Sequence, residues 1–506
     1  MTLESVAVGR CTNTHRLVQY AVASRLLILI LIVIWRSLLS PYDTSAAINP
    51  PCLSSSSDPS NSDAGPVLFP KVGSAIETSI VWDGVYFTRI AECRYEYEQT
   101  YAFLPLLPLC ISVLSRTVFA PLVPVIGYRA VLGLSGYVLN NIAFVFAALY
   151  LYRLSLIVLK DSEVSLRASI LFCFNPASIF YSSIYSESLY ALLSFGGLYY
   201  FMNGADCYAT FWFALSGCAR SNGVLNAGYI CFRTMQQVNE AFLSGKRTCL
   251  LMVKIVLAGA LRSLCILTPF ISFQAYGYLN ICLDHSVAEM RPWCRARLPL
   301  LYNYIQSHYW GVGFLRYFQV KQLPNFLLAS PILSLALCSI VYYVKLWPEV
   351  FLSLGLRASS TEKELVGSGL SAGADGQPST VSFSEDRTRS ILQDDGTPRL
   401  RKRAIKGEHL VTQPSEREEP GSLQYDPAVI LPFVLHLSFM VATAFFVMHV
   451  QVATRFLSSS PFLYWFAAHI MGSPGIGKRW GHFIWAYCAA YVFLGSLLFS
   501  NFYPFT

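Results

Sequence analysis

An all-α polytopic membrane protein is the fold class that this 506-residue sequence predicts, and three observations predict it. Charged residues make up 13% of the chain and hydrophobic ones 54%, whereas a soluble globular chain averages about 25% charged residues. Such a chain lacks the polar surface to cover itself in water. Apolar runs recur along most of its length, many near the roughly 20 residues that cross a bilayer. The formal charge of +8 fits cytoplasmic loops that collect Lys and Arg. A nucleic-acid partner would need a basic face interleaved with aromatic residues, and no stretch has that pattern.

The first segment, 1–40, carries Arg10, Arg16 and Arg25 around the start of an apolar run that reaches Leu39. A cleaved signal peptide, with Ser45 and Ala47 near the cut, is one reading. The length of the run from Leu17 favours an uncleaved signal-anchor helix with a cytosolic N-terminus. Residues 41–128 then form a first non-cytosolic loop, opening on a Ser- and Pro-rich stretch and continuing as interfacial helices. Within it, "YAFLPLLPLCISVLSRTVFAPLVPVIG" (101–127) is apolar but broken by prolines and Arg116, which suits interfacial or re-entrant helices. Residues 129–346 are read as a transmembrane core. It has spans at 130–152, near 168–184, 186–202, 208–218 and 221–232, at 249–272 and at 326–346, with a long non-cytosolic loop at 275–324. Residues 347–426 read as a disordered cytosolic loop containing "RLRKRAIK". Residues 427–506 supply the closing transmembrane segments, 427–448, 461–471 and 482–500. The total is about 8–11 spans. Arg153, Lys160 and Arg167 mark the cytosolic side, which leaves the polar motifs on the other face.

Five polar motifs stand on that face. In "WDGVYFTRIAE" (82–92), a helix would lay Trp82, Val85, Tyr86, Ile90 and Cys93 on the membrane surface. Asp83 then sits near the water line, as a helix-start carboxylate or as a general base. Glu92 either assists it or faces solvent. In "FNPASIFYSSIYSESLYALLSF" (174–195), Pro176 breaks the helix, Ser186 caps the next, and Glu187 sits in its first turn. In "CARSNGVLNAGY" (218–229), Arg220 and Asn222 flank a turn. An arginine at membrane depth faces a polar interior or snorkels, and its fork suits a phosphate. The stretch 291–326 interleaves Gln306, His308 and Trp310 with tyrosines, as an aromatic belt or a sugar-stacking surface. In "HVQVATRFLSSSPFLYWF" (449–466), His449, Gln451 and Arg455 cluster at a span end.

The 14 cysteines form no CxxC pair, and no metal-ligand spacing occurs. Cys52, Cys93, Cys282 and Cys294 fall on the non-cytosolic side, where disulfides form; the pairing stays open. No P-loop, GxSxG or HExxH motif is present, nor a Rossmann pattern for a nucleotide sugar.

Together these stretches, with "AFLPLLPL", "YNYIQSHYWGVGFLRY" and "PNFLLASP", resemble the family of GPI mannosyltransferase 2, the PIG-V type. The resemblance covers about 75–346 and 427 to the end. It implies a GT-C helical bundle in the endoplasmic-reticulum membrane that transfers the second mannose, in α1,6 linkage, from dolichyl phosphate mannose to the GPI precursor. The donor is a lipid-linked substrate, and no cofactor or metal enters the scheme. The resemblance implies that Asp83, in the first lumenal loop, is the catalytic carboxylate, with Glu92 as a second candidate. Arg220, Arg455 or His449 would then meet the leaving phosphate. The resemblance leaves room for a small membrane subunit. Other readings are a different dolichyl-phosphate-mannose-dependent mannosyltransferase, a lipid transporter or scramblase, or a non-catalytic subunit.

Overall fold

The computed structural model of the chain describes residues 3–42, 52–53, 67–244, 249–283, 291–356 and 426–503, and every regular element among them is helical. The order is α1 (Leu3–Leu38), α2 (Pro70–Thr78), α3 (Asp83–Cys93), α4 (Leu106–Arg116), α5 (Val123–Ile126) and α6 (Tyr128–Leu159). Next come α7 (Ser162–Cys173), α8 (Ser178–Ser182), α9 (Glu187–Met202), α10 (Asp206–Ala219), α11 (Ala227–Leu243) and α12 (Cys249–Cys282). The chain closes with α13 (Leu301–His308), α14 (Leu323–Leu346), α15 (Pro348–Leu352), α16 (Pro427–Phe446), α17 (Ala453–Leu457), α18 (Pro461–Gly472) and α19 (Ile476–Ser500).

Six of these, in α1, α6, α12, α14, α16 and α19, are long and apolar enough to cross a bilayer, so the chain is a multi-pass membrane protein. The broken pair 106–116 and 120–126, bent by 66°, would raise the number to seven if taken as one span. The expected 8–11 counted the runs between 162 and 243, and the run 461–471, as separate spans. They fold instead as helices of 5 to 17 residues, short of a hydrocarbon core about 30 Å thick. The run 168–184 in particular is interrupted at Pro176. Helix α12 runs ten residues beyond the expected end at 272, which shortens the long loop after it. Of the expected disordered loop, 357–425 lies outside the described residues, while 348–352 is helical and buries Val350.

Two faces can be told apart by what meets where. The start of α1 is tied to the α6–α7 turn, where Asn13 donates to Ser162 and Glu163; this is the face of Arg153, Lys160 and Arg167. At the opposite face the end of α1 meets the end of α19, as the Tyr42 amide donates to the Asn501 carbonyl. Both ends of the proline-broken segment lie on that second face: Leu104 precedes it, and Arg129 just after it pairs with Glu92 of α3 at 3.2 Å. The segment therefore enters and leaves on one side, as a re-entrant helix pair. Cys52–Cys93 and Cys282–Cys294, the four cysteines singled out above, form two disulfides there.

Two expectations are corrected. Helix α3 packs on protein along its expected membrane-facing stripe: Ile90 and Cys93 are buried, Val85 packs on the cluster of Leu107, Leu132 and Ile184, and Tyr86 stacks on the Phe103 ring. The apolar stripe that suggested a lipid contact is instead a packing face. Arg25 does not belong to the cytosolic flank. It is 3% exposed inside the bundle and donates to the carbonyls of Cys173 (3.1 Å) and Ser178 (3.0 Å) and to the Ser182 hydroxyl (3.0 Å). Its guanidinium lies 3.7 Å from the Phe144 ring centroid. The break at Pro176 frees carbonyls that have no helical partner, and within a membrane those must find a donor in the protein. Arginine, with five N–H groups, serves several at once.

Candidate active site

A cavity of about 370 Å³ opens among the loops of the second face. Its floor is built where short helices end. Asp83 is the first residue of α3, Glu187 the first of α9, and Arg220 follows the last of α10. Each is therefore delivered by a terminus, not by a helix flank.

The charged groups form a chain. Arg455 Nη1 lies 3.1 Å from Asp83 Oδ2 and 3.9 Å from Glu187 Oε1, and Arg220 pairs with the same Glu187 oxygen. Glu187 is 2% exposed, whereas the Asp83 side chain is 35% exposed. The buried carboxylate thus acts as a brace between two arginines, and the accessible one is left for a substrate. Burial disfavours the charge on Arg455, but Asp83 and Glu187 outweigh it and hold the guanidinium above its ordinary pKa. Tyr185 accepts a hydrogen bond from the Asp83 amide at 3.0 Å. Burial first, and the Asp83 carboxylate second, push its phenol well above 10, so it stays protonated.

Backbone geometry sets these positions. Trp82 has a φ of +54°, costly for a bulky residue. Its indole N–H donates to the Phe499 carbonyl at 3.1 Å, and its ring packs on Phe502. These contacts hold the turn that aims Asp83 into the cavity. Gly223 explains the turn after Arg220: a Cβ there would lie 2.2 Å from the Ser216 carbonyl carbon. Only glycine lets the turn press against the α10 backbone.

The far wall comes from the loop beyond α12 and from the end of α16. Tyr302 bonds Ser221 (2.8 Å), and its amide donates to Gln274 (2.8 Å). The Trp310 carbonyl accepts from His449 Nε2 at 2.6 Å, which fixes the proton on that nitrogen because a carbonyl only accepts. Gln451 accepts from the Tyr317 hydroxyl at 3.0 Å. Asn222 is 9% exposed, and its side-chain N–H₂ has no hydrogen-bond partner among the described residues. That is a donor left for a ligand.

Trp82, Asp83, Glu187, Arg220, Asn222, Gln306, Trp310, His449, Gln451 and Arg455 all line this cavity. Glu92 and His308 do not. Glu92 is taken up by Arg129, and His308 stacks on Tyr304 at 5.0 Å, outside the lining. Tyr185, Phe103, Phe180 and Phe499 also line the cavity and were not singled out as site residues; Tyr185 alone had a signal, its place in the Ser- and Tyr-rich turn. Among the described residues the one group close enough to hold a metal is Cys52, Cys93 and Glu96, whose cysteines are disulfide-bonded.

Comparison with known proteins decides the family. The sequence matches the family described as Mannosyltransferase (PIG-V) over residues 14–506. The chain belongs to the PIG-V mannosyltransferase family. A GPI alpha-1,6-mannosyltransferase 2 from Homo sapiens is 31% identical over 77% of this chain and 72% of its own length. A GPI mannosyltransferase 2 from Drosophila pseudoobscura pseudoobscura is 32% identical over 84% of this chain and 86% of its own. The Cricetulus griseus GPI alpha-1,6-mannosyltransferase 2 is 30% identical over 91% and 84%. No solved structure matches the chain. As a PIG-V family member the chain is a glycosyltransferase.

Proposed function

We propose that the protein transfers the second mannose of the GPI core, in α1,6 linkage, from dolichyl phosphate mannose to the GPI precursor at the lumenal face of the endoplasmic-reticulum membrane. The observation that carries the reading is the pairing of one accessible carboxylate, Asp83, with Arg455 in a cavity at one end of the bundle. In this reading the donor is β-linked and the product α-linked, so a single in-line displacement inverts the anomeric carbon. The acceptor mannose's 6-hydroxyl attacks; Asp83 takes its proton as the new C–O bond forms. The bond from the anomeric carbon to phosphate breaks, and dolichyl phosphate leaves with the electron pair. Arg455 and Arg220 meet that charge, with the His449 ring and the Asn222 amide as further groups at the cavity wall. A phosphate that draws Arg455 toward itself loosens its hold on Asp83 and makes the carboxylate a better base.

A second apolar slot, about 340 Å³ between α11 and α16, begins at Val224, four residues after Arg220; it suits the polyprenyl chain of the donor. The reading includes a small membrane subunit as a partner, and the face that suits one is α12, the least buried of the six spans. The two disulfides agree with a lumenal, oxidising side for the cavity.

The test is complementation of cells lacking the endogenous enzyme. The wild-type chain should clear a GPI intermediate bearing one mannose, and Asp83→Asn should leave it accumulated, with transfer reduced roughly 10²-fold or more. Full rescue by Asp83→Asn would remove the general-base assignment.

A further inference from the structure

A groove of about 870 Å³ runs between α1, α2 and α6, outside the cavity just described. Its length is apolar, lined by Leu29 and Val33 of α1 and by Leu134 and Ile142 of α6. Its mouth is not. Arg36, in the last turn of α1, and Lys71, in the first turn of α2, both stand there, and among the described residues no carboxylate lines the groove. Lys71 is exposed and makes no ion pair among the described residues. Arg36 donates one Nη1 bond, to the Ser500 carbonyl at 3.2 Å, and among the described residues the rest of its fork makes no hydrogen bond or ion pair, leaving donors for a ligand. Leu29 lies seven residues before Arg36, about 10 Å deeper along the helix. Two cations over an apolar furrow match an anionic head group above hydrocarbon chains.

The groove and the cavity are linked through the end of α19. Arg36 holds the Ser500 carbonyl, while Trp82, which lines the cavity, holds the neighbouring carbonyl of Phe499. On the other side of the mouth, the Tyr137 hydroxyl donates to the Ser79 carbonyl at 3.0 Å, four residues before Asp83. This separation decides which lipid fits. In a sugar-phosphate donor the phosphate is bonded to the carbon that reacts, so it must lie inside the cavity. In a glycosylphosphatidylinositol acceptor the phosphate sits beyond the inositol and the sugars that bridge it to the reacting mannose. It therefore lies away from the reacting carbon, and the groove, linked to the cavity through the end of α19, offers two cations for it.

We propose that this groove binds the acceptor lipid, with its inositol-linked phosphate at Arg36 and Lys71 and its chains along α1 and α6. The assignment rests on the function proposed above and adds the site that holds the second substrate. Neither cation touches the reacting atoms; both are positioning residues.

The test uses the full-length protein in phosphatidylcholine nanodiscs. With a synthetic mannosylated glucosaminyl-phosphatidylinositol as acceptor and a polyprenyl phosphate mannose as donor, Lys71→Glu should raise the KM for acceptor about tenfold, roughly one ionic contact's worth. The KM for donor should stay within about twofold, and kcat at saturating acceptor should be retained. The double variant Arg36→Gln/Lys71→Gln should raise the acceptor KM further. An unchanged acceptor KM, or a donor KM that rises in its place, overturns the proposal. A photoreactive phosphatidylinositol, read without any turnover, should label 29–37 and 134–142 and be displaced by unlabelled phosphatidylinositol but not by polyprenyl phosphate. Labelling no more selective than that of a photoreactive phosphatidylcholine overturns the proposal as well. Selective labelling in a protein that transfers no mannose would uphold the groove while removing the function proposed above.

Discussion

Arg455 and Asp83, 372 positions apart in the chain, meet at 3.1 Å across the floor of the cavity. The arginine comes from the short helix α17 and the carboxylate from the first turn of α3. Their contact closes a chain of charge that continues through Glu187 to Arg220. One carboxylate of this chain is buried and braced, and the other can be reached from the cavity.

One nitrogen of Arg455, Nη1, faces both carboxylates, while its buried Nε has no hydrogen-bond partner among the described residues; a lysine ammonium lacks that further donor and the planar fork that carries it. Arg455→Lys is expected to keep the charge but lower transfer about 10²-fold, the scale of losing one donor to the developing anion. Mannosyl transfer in microsomes from complemented cells measures it. Activity within about twofold of wild type would take Arg455 out of the phosphate site.

Glu187 is almost wholly buried between Arg220 and Arg455. Arg220→Met should therefore be strongly destabilising, by about 3 kcal/mol, because it leaves a buried charge half compensated. Adding Glu187→Gln should recover part of that loss, and the thermal unfolding midpoint of the purified protein reads the coupling. Additive losses would mean that the two side chains do not share an ion pair.

Arg25 supports the site from beneath. Its bonds to Cys173, Ser178 and Ser182 hold the broken α7–α8 segment, which leads into Tyr185 and Glu187. Arg25→Leu strands those carbonyls in an apolar interior, at a cost of about 1–3 kcal/mol for each group left unsatisfied. Steady-state protein level should fall several-fold, and Arg25→Lys, with fewer donors, should restore it only in part.

Both disulfides lie on the cavity side. Alkylation of the denatured protein before and after reduction should differ by four cysteines, all at positions 52, 93, 282 and 294 by peptide mass. Losing the 41-residue link between Cys52 and Cys93 should cost about 2–4 kcal/mol, and Cys52→Ser, Cys93→Ser and the double variant should be equally destabilised. Different losses for the two single variants would argue against the pair.

Local chemistry explains which parts could be read in advance. An aspartate after Trp82, a proline at 176 and a glycine at 223 each act on their own few residues, so the start of α3, the break before α8 and the turn after Arg220 were legible. Most of the cavity lining was legible for the same reason: polar groups beside apolar runs have few places to go except a shared wet pocket. Amphipathicity was ambiguous, since lipid and protein interior are equally apolar. The stripe on α3 therefore fits a lipid contact as well as a packing face, and short buried helices have the same hydropathy as spans.

The sequence by itself determined that this chain lives in a membrane, that its polar motifs gather at one face and which residue types they bring. Hydropathy and charge are properties of a segment and need no partner. Tertiary structure alone decided that Arg25 is a structural donor inside the bundle, that Glu92 is taken up by Arg129, and that Asp83 is joined through Arg455 to Glu187, not to Glu92. An ion pair needs its nitrogen and oxygen within about 4 Å, and distances between residues hundreds of positions apart are set only when the helices pack.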